Sequence, residues 1–258
     1  MAALQHLDNK TSKSMKRIVS KIGLVCFIFI VASLFVLASC SSSKKTATRK
    51  GDASVAANVP DYKQIKKEIN SKDSEFYYPE LLRRFQAADT TLSLEQVRHF
   101  YYGAATMPEY NPYRFSLLGE LNEALEKGEL QKADSIIERQ LADDPTNLQF
   151  YEYKMMLKTE QFGRDSKEAN DAFFQVFMLS SAILSSGDGL SKETAIYVIN
   201  IADEYAIMTL YGLSLKMQSL IMVDGQKLDQ MDLVSNKYGW KTLYFNTSIT
   251  ETALKNLF

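Results

Sequence analysis

A chain of 258 residues, 46% of them hydrophobic and 24% charged, has room for one sizeable domain or two small ones. Its composition is neither that of a disordered chain nor that of a multi-span membrane protein. Five of the 30 basic and one of the 31 acidic residues precede Cys40, which leaves 25 positive against 30 negative groups, net −5, in the remainder. Such a surface speaks against nucleic acid, which needs clustered Lys and Arg to displace counterions. Only Cys26 and Cys40 are present, so a chain beginning at Cys40 has one thiol and no internal disulfide.

The start of the chain has the layout of an export signal. Lys16, Arg17 and Lys21 form a positive flank, and Ile22 to Ala38 is uncharged and overwhelmingly apolar. The residues ahead of Met15 add nothing to such a signal, and Met15 is the expected start. Leu37, Ala38, Ser39 and Cys40 together resemble the lipobox of bacterial lipoproteins. The resemblance implies diacylglycerol on the Cys40 thiol and cleavage ahead of it, with the thiolate as nucleophile. The alternative is an uncleaved transmembrane helix, since the apolar run approaches the roughly 20 residues a bilayer requires. Either way the bulk of the chain is exported, because the positive flank stays inside. Residues 1–39 are thus expected to be a signal peptide, 40–60 a lipidated cysteine with a flexible tether, and 61–258 a single mostly helical domain. In lipoproteins of the Bacteroidota type, which this chain resembles, an acidic motif behind the cysteine marks surface display. No acidic residue lies between Cys40 and Asp52, which implies an outer-membrane anchor facing the periplasm.

Beyond the tether, helix signals recur. Asp61 caps a helix with Tyr62, Ile65 and Ile69 on one face, and Pro79 opens a second with Leu81, Leu82 and Phe85. Ser93 and Gln96 form a capping box ahead of Val97, Phe100 and Tyr101, in a helix that Gly103 ends. Asn111 and Pro112 open a helix carrying Phe115, Leu118, Leu121 and Leu125 to Gly128, and Glu129 to Ala142 returns antiparallel. Leu117, Leu121, Ala124, Ala133, Ile137 and Pro145 resemble a tetratricopeptide repeat in spacing, with Asp144 to Asn147 opening the next helix. Asp165 and Glu168 cap a long apolar helix expected at the centre, closed by Gly187-Asp188-Gly189. Ser191 opens another through Ala195, Val198, Ile199, Ala202, Ala206, Leu210, Leu213 and Met217. Leu228 to Ser235 and Trp240 to Ser248 then read as a hairpin, and Ser248 with Glu251 caps a final helix. The expected fold is mainly α, a tetratricopeptide-like helical-hairpin array or bundle with a small C-terminal β-hairpin. With its stretches Phe100-Tyr101-Tyr102-Gly103, Tyr110-Asn111-Pro112-Tyr113 and Tyr238 to Phe245, the segment from Tyr62 to Phe258 resembles domain-of-unknown-function family 4919, found in lipoproteins of this type. That resemblance implies no activity.

No catalytic constellation stands out. Beyond Cys40 the chain has one histidine, His99, which excludes multi-histidine zinc sites and is expected to be surface or partly buried without a chemical role rather than part of a triad. Gly187 to Lys192 lacks the glycine spacing of a phosphate loop and follows a helix, so it reads as a helix terminator. The pairs Asp143-Asp144 and Glu120-Glu123 read as a cap and a solvated face rather than as a glycosidase acid pair. The abundant tyrosines read first as core residues with a polar tip and second as a recognition surface, for which Tyr102, Tyr110 and Tyr113 are the candidates. These features describe a non-enzymatic binding or adaptor module, held to a membrane by lipid and meeting a protein partner in the envelope, with no cofactor and no metal. Glycan capture is the alternative, weakened by Trp240 being the only tryptophan, and a hydrolase is the third reading.

Overall fold

In the computed structural model, which describes residues 58–250, side-chain caps satisfy the first free N–H groups of four helices. Helix α1 (Tyr62–Ile69) begins at Asp61, whose carboxylate accepts from Gln64 N at 2.9 Å. Helix α2 (Tyr78–Gln86) has Pro79 in its first turn, and α3 (Leu94–Ala104) opens on the full Ser93–Gln96 capping box. Helices α4 (Leu118–Glu126) and α5 (Leu130–Asp143) form a hairpin closed at Gly128, whose φ of +71° suits glycine. Helix α6 (Leu148–Phe162) is capped by Asn147 and α7 (Lys167–Leu184) by Ser166, one residue beyond the expected Asp165.

Helix α3, not α7, is the enclosed one. Every residue from Gln96 to Gly103 is buried, while α7 turns Ala172, Val176, Leu179 and Ile183 inward and leaves Phe177 exposed. Phe100 of α3 packs on Phe85 and Tyr78 at ring distances of 4.7 and 5.7 Å, and Phe85 meets Tyr151 of α6 edge-on at 5.4 Å. Gly103 lets α1 approach: a Cβ there would lie 3.1 Å from Ile69.

The region after α7 departs most from expectation. In place of one helix from Ser191 to Met217 the chain forms a short strand β1 (Ile196–Tyr197), helix α8 (Ile201–Leu210) and strand β2 (Leu215–Val223). Gly212, at φ +64°, stops α8 in the left-handed region before the apolar period can carry it further. Asp224 and Gly225, both at positive φ, turn the chain into β3 (Gln226–Leu233), and β4 (Thr242–Asn246) follows. The C-terminal hairpin is therefore part of a four-stranded sheet in the order β1-β4-β3-β2, with β1 and β4 parallel and the other pairs antiparallel. Leu243 and Phe245 of β4 and Met231 of β3 face the helical core. The loop after α7 is held tightly against β1, since a Cβ on Gly187 would come within 2.3 Å of Thr194 O. The Asn111-Pro112 pair opens no helix; Asn111 Oδ1 accepts from Tyr113 N at 2.9 Å in a turn, and α4 begins only at Leu118. Residues 248–250 are helical, as expected of a helix starting at Ser248, while Glu251 lies outside the described residues.

Candidate functional site

Two polar features organise the interior. Tyr101 projects from α3 to donate to Asp203 Oδ2 at 2.6 Å, and its own oxygen accepts from Ile199 N at 3.1 Å. Asp203 sits in the first turn of α8, and its Oδ1 accepts from Leu148 N, the first residue of α6, at 3.2 Å. The carboxylate thus satisfies an N–H at the start of a distant helix and bolts α3, α6 and α8 together. No solvent reaches it, and burial pushes its pKa up to about 8 against the opposing effect of the Tyr101 hydroxyl. Beside it, Glu204 is fully buried, and its side chain faces the Asp229 carboxyl within hydrogen-bond reach. Burial first, then repulsion from Asp229, pushes it up to about 10. Glu152 on α6 is raised as well, by burial and by Asp203. All three carboxyls lie in the interior of the frame.

His99 is equally structural. Its ring stacks on Phe76 at 3.8 Å, Nε2 lies 2.7 Å from Glu68 Oε2, and Nδ1 lies 2.9 Å from Glu95 O. Both nitrogens are engaged, and the pair joins α1 to α3. The Gly187-Asp188-Gly189 turn spends its backbone groups inside the fold: Gly189 N donates to Thr194 O and its carbonyl accepts from Tyr244 N, both at 2.8 Å.

The three candidate tyrosines separate. Tyr102 is 0% exposed, with its hydroxyl donating to Tyr197 O at 3.2 Å, so it belongs to the core and not to a surface. Tyr110 is turned inward, donating to Ile199 O at 2.5 Å. Tyr113 stays at the surface, 52% exposed, and two residues on, Phe115 is 79% exposed. The sequence pattern had assigned Phe115 to a helix face; instead it stands on a loop with no apolar cover. Arg114, between the two rings, fixes that loop by donating to Asp143 O at 2.5 Å, Asp143 Oδ1 at 2.9 Å and Glu109 O at 2.6 Å. Leu117 N donates to Gln140 Oε1 at 2.8 Å and closes the other end. The rings of Tyr113 and Phe115 are presented on a backbone already tied to α5.

Leu37, Ala38, Ser39 and Cys40, with Met15 and Cys26, lie outside the described residues. Among the described residues no His, Cys, Asp and Glu side chains gather to hold a metal ion, and no helix is long and apolar enough to cross a membrane.

Fold and surface together define a mainly α protein with a four-stranded sheet, in which Asp203 and His99 join helices distant in sequence. The model of the family described as Domain of unknown function (DUF4919) matches residues 63–255, and the chain belongs to that family. No curated protein and no solved structure matches it.

Proposed function

We infer that the protein is an exported lipoprotein of Bacteroidota type, anchored through lipid on Cys40 to the periplasmic face of the outer membrane, and that it works as a non-enzymatic binding module for an envelope protein. The observation that carries the binding reading is the loop ahead of α4, where two exposed aromatic rings are held in place by Arg114. Fixed aromatic side chains give contact area at little further entropic cost, which is how binding hot spots are built. The α4–α5 pair, read as a tetratricopeptide-like hairpin, supplies the support. The reading against an enzyme rests on Asp203, Glu204, Glu152 and His99 being buried. Glycan capture is less well supported, because Trp240 is stacked on Tyr238 at 4.5 Å and touched edge-on by Tyr211 at 5.3 Å, so the aromatic cluster closes on itself.

A photo-activatable residue in place of Phe115, in the full chain and in intact envelopes, should give one discrete heavier adduct with another envelope protein. Arg114→Ala, which unties the loop, should lower its yield several-fold. An equal yield from a control position such as Lys192, or no adduct, would remove this loop as the contact. For the anchor, Cys40→Ala should leave a larger precursor that takes up no labelled fatty acid; unchanged size and labelling would overturn the lipid assignment.

A further inference from the structure

Strand β2 is a free edge of the sheet among the described residues, and from Met217 to Val223 it carries no charge, proline or bulge. It is nine residues long and has no proline, and Met217, Leu220 and Met222 are 54, 60 and 61% exposed. Edge strands of proteins that remain single are commonly short, charged or proline-blocked, because a row of open N–H and C=O groups invites another strand. The only charge within β2 is Lys216, the residue left unpaired where the register with β3 shifts between Leu215 and Met217.

The direction of the open groups follows from the turn. Asp224 and Gly225 form a two-residue turn with positive φ at both positions, so the flanking pair Val223 and Gln226 exchanges hydrogen bonds with each other. Alternation makes Ile221 with Leu228, and Ser219 with Gln230, the next bonded pairs. The far side of β3 agrees: Thr247 N donates to Lys227 O at 3.0 Å and Leu233 N to Lys241 O at 2.8 Å, so odd-numbered residues of β3 point towards β4. The backbone groups of Gln218, Leu220 and Met222 therefore point away from the sheet, and the Leu220 and Met222 side chains among them are exposed.

We propose that β2 pairs antiparallel with β2 of a second copy of this chain, in the register that sets Leu220 opposite Leu220 of the partner subunit. Gln218 then lies opposite Met222 of the partner subunit, and Met222 opposite Gln218 of the partner subunit. All three outward residues meet outward residues, and each pair exchanges two backbone bonds. The same register brings Lys216 opposite Asp224 of the partner subunit at both ends. Opposite charges facing across a ladder are favourable, and among the described residues neither side chain has an ion-pair partner in its own chain. A slip of one residue sets open backbone groups against groups already used, and a slip of two residues separates the charges. The strand is self-complementary in one register, which favours a second copy over an unrelated extended segment.

The register is tested in the full chain in its own envelope. Ser219 and Ile221 of the partner subunit form a non-bonded pair with Cα atoms about 4.5 Å apart, within disulfide reach. Chains carrying Ser219→Cys and chains carrying Ile221→Cys, differently tagged and co-expressed, should form a disulfide-linked mixed dimer at least several-fold above either variant alone, with the parent chain reporting the background from Cys40. No mixed dimer although both thiols react with a maleimide, equal dimer from each variant alone, or a disulfide to a different protein would each overturn the proposal. Light scattering on the full chain in detergent is the second measurement. Leu220→Lys sets two ammonium groups against each other at the centre while placing each beside Asp229 of its own chain. The mass should fall from two copies to one with the unfolding midpoint held, whereas a parent chain already of one copy would sink the idea.

Discussion

Replacing Tyr101 with Phe is expected to lower the unfolding free energy by about 3 kcal/mol, a large share of the stability of a domain this size. The hydroxyl has two partners, and both are buried: Asp203 Oδ2 loses its donor and Ile199 N its acceptor. Each stranded group costs about 1–3 kcal/mol, because water cannot replace the lost bond. Tyr102→Phe removes long bonds to the carbonyls of Tyr197 and Ile183, at 3.2 and 3.4 Å, and a contact with the Ser186 hydroxyl, which keeps its own bond to Ile183 O, and should cost about 1 kcal/mol. Urea unfolding of the two variants side by side gives the comparison. Combining Tyr101→Phe with Asp203→Asn should cost less than the sum of the two changes, since both break one network. If Tyr101→Phe is no worse than Tyr102→Phe, or the pair is additive, the bolt between α3, α6 and α8 is not the stabilising element argued above.

That network was not legible in the sequence. Tyr101 and Asp203 are 102 positions apart, Asp203 and Leu148 are 55 apart, and no local pattern links them. What was legible was local: Asp61, the Ser93–Gln96 box, Pro79, Asn147 and Gly128 each act through neighbours within a few residues. The stretch from Ser191 to Met217 misled because its apolar residues recur at helical spacing, and a fully buried segment carries no polar face to tell a helix from a strand. Gly212 and the Asp224-Gly225 pair were the signals available. An Asp-Gly turn between Leu215–Val223 and Gln226–Leu233 is a hairpin in its own right, and it brings β2 to the edge of the sheet. For Tyr102 and Tyr110 the first reading, core residues with a polar tip, holds and the recognition-surface reading does not, since their hydroxyls find backbone carbonyls inside.

The interior also fixes where the domain meets its N-terminal segment. Arg98 is buried on α3, donates to Asn58 O at 3.0 Å and is held from the other side by Ser185. The chain therefore enters the domain at the end of α7, while the ring-bearing loop departs from α5 and the open strand lies across the sheet.

The buried carboxyls make a second large effect expected, this time with pH. Asp203 and Glu204 are raised to about 8 and about 10, and Glu152 is raised too, while in the unfolded chain the same groups ionise near pH 4. Between those limits the folded protein keeps protons that the unfolded chain has released, so raising the pH favours unfolding. Each such group contributes a slope of about 1 kcal/mol per pH unit, and stability should therefore be greatest on the acidic side and fall steadily from pH 5 to pH 8. Glu204 gives the sharper test because burial and Asp229 push it farther above the ordinary carboxyl range than Asp203. Glu204→Gln should be nearly neutral at pH 5 and should stabilise the protein by about 3 kcal/mol at pH 8, since the amide never has to hold a proton against solvent. Urea midpoints of parent and variant measured across that range should converge at the acid end and diverge at the alkaline end. Parallel curves would mean that Glu204 ionises in the folded state as readily as in the unfolded one. The same dependence bears on the proposed pairing, since Asp203 and Glu204 sit on α8, which reaches β2 through the Tyr205–Gln218 contact at 2.6 Å. Weakening of the paired edge at alkaline pH in the parent chain, and its absence in Glu204→Gln, would connect the interior to the surface.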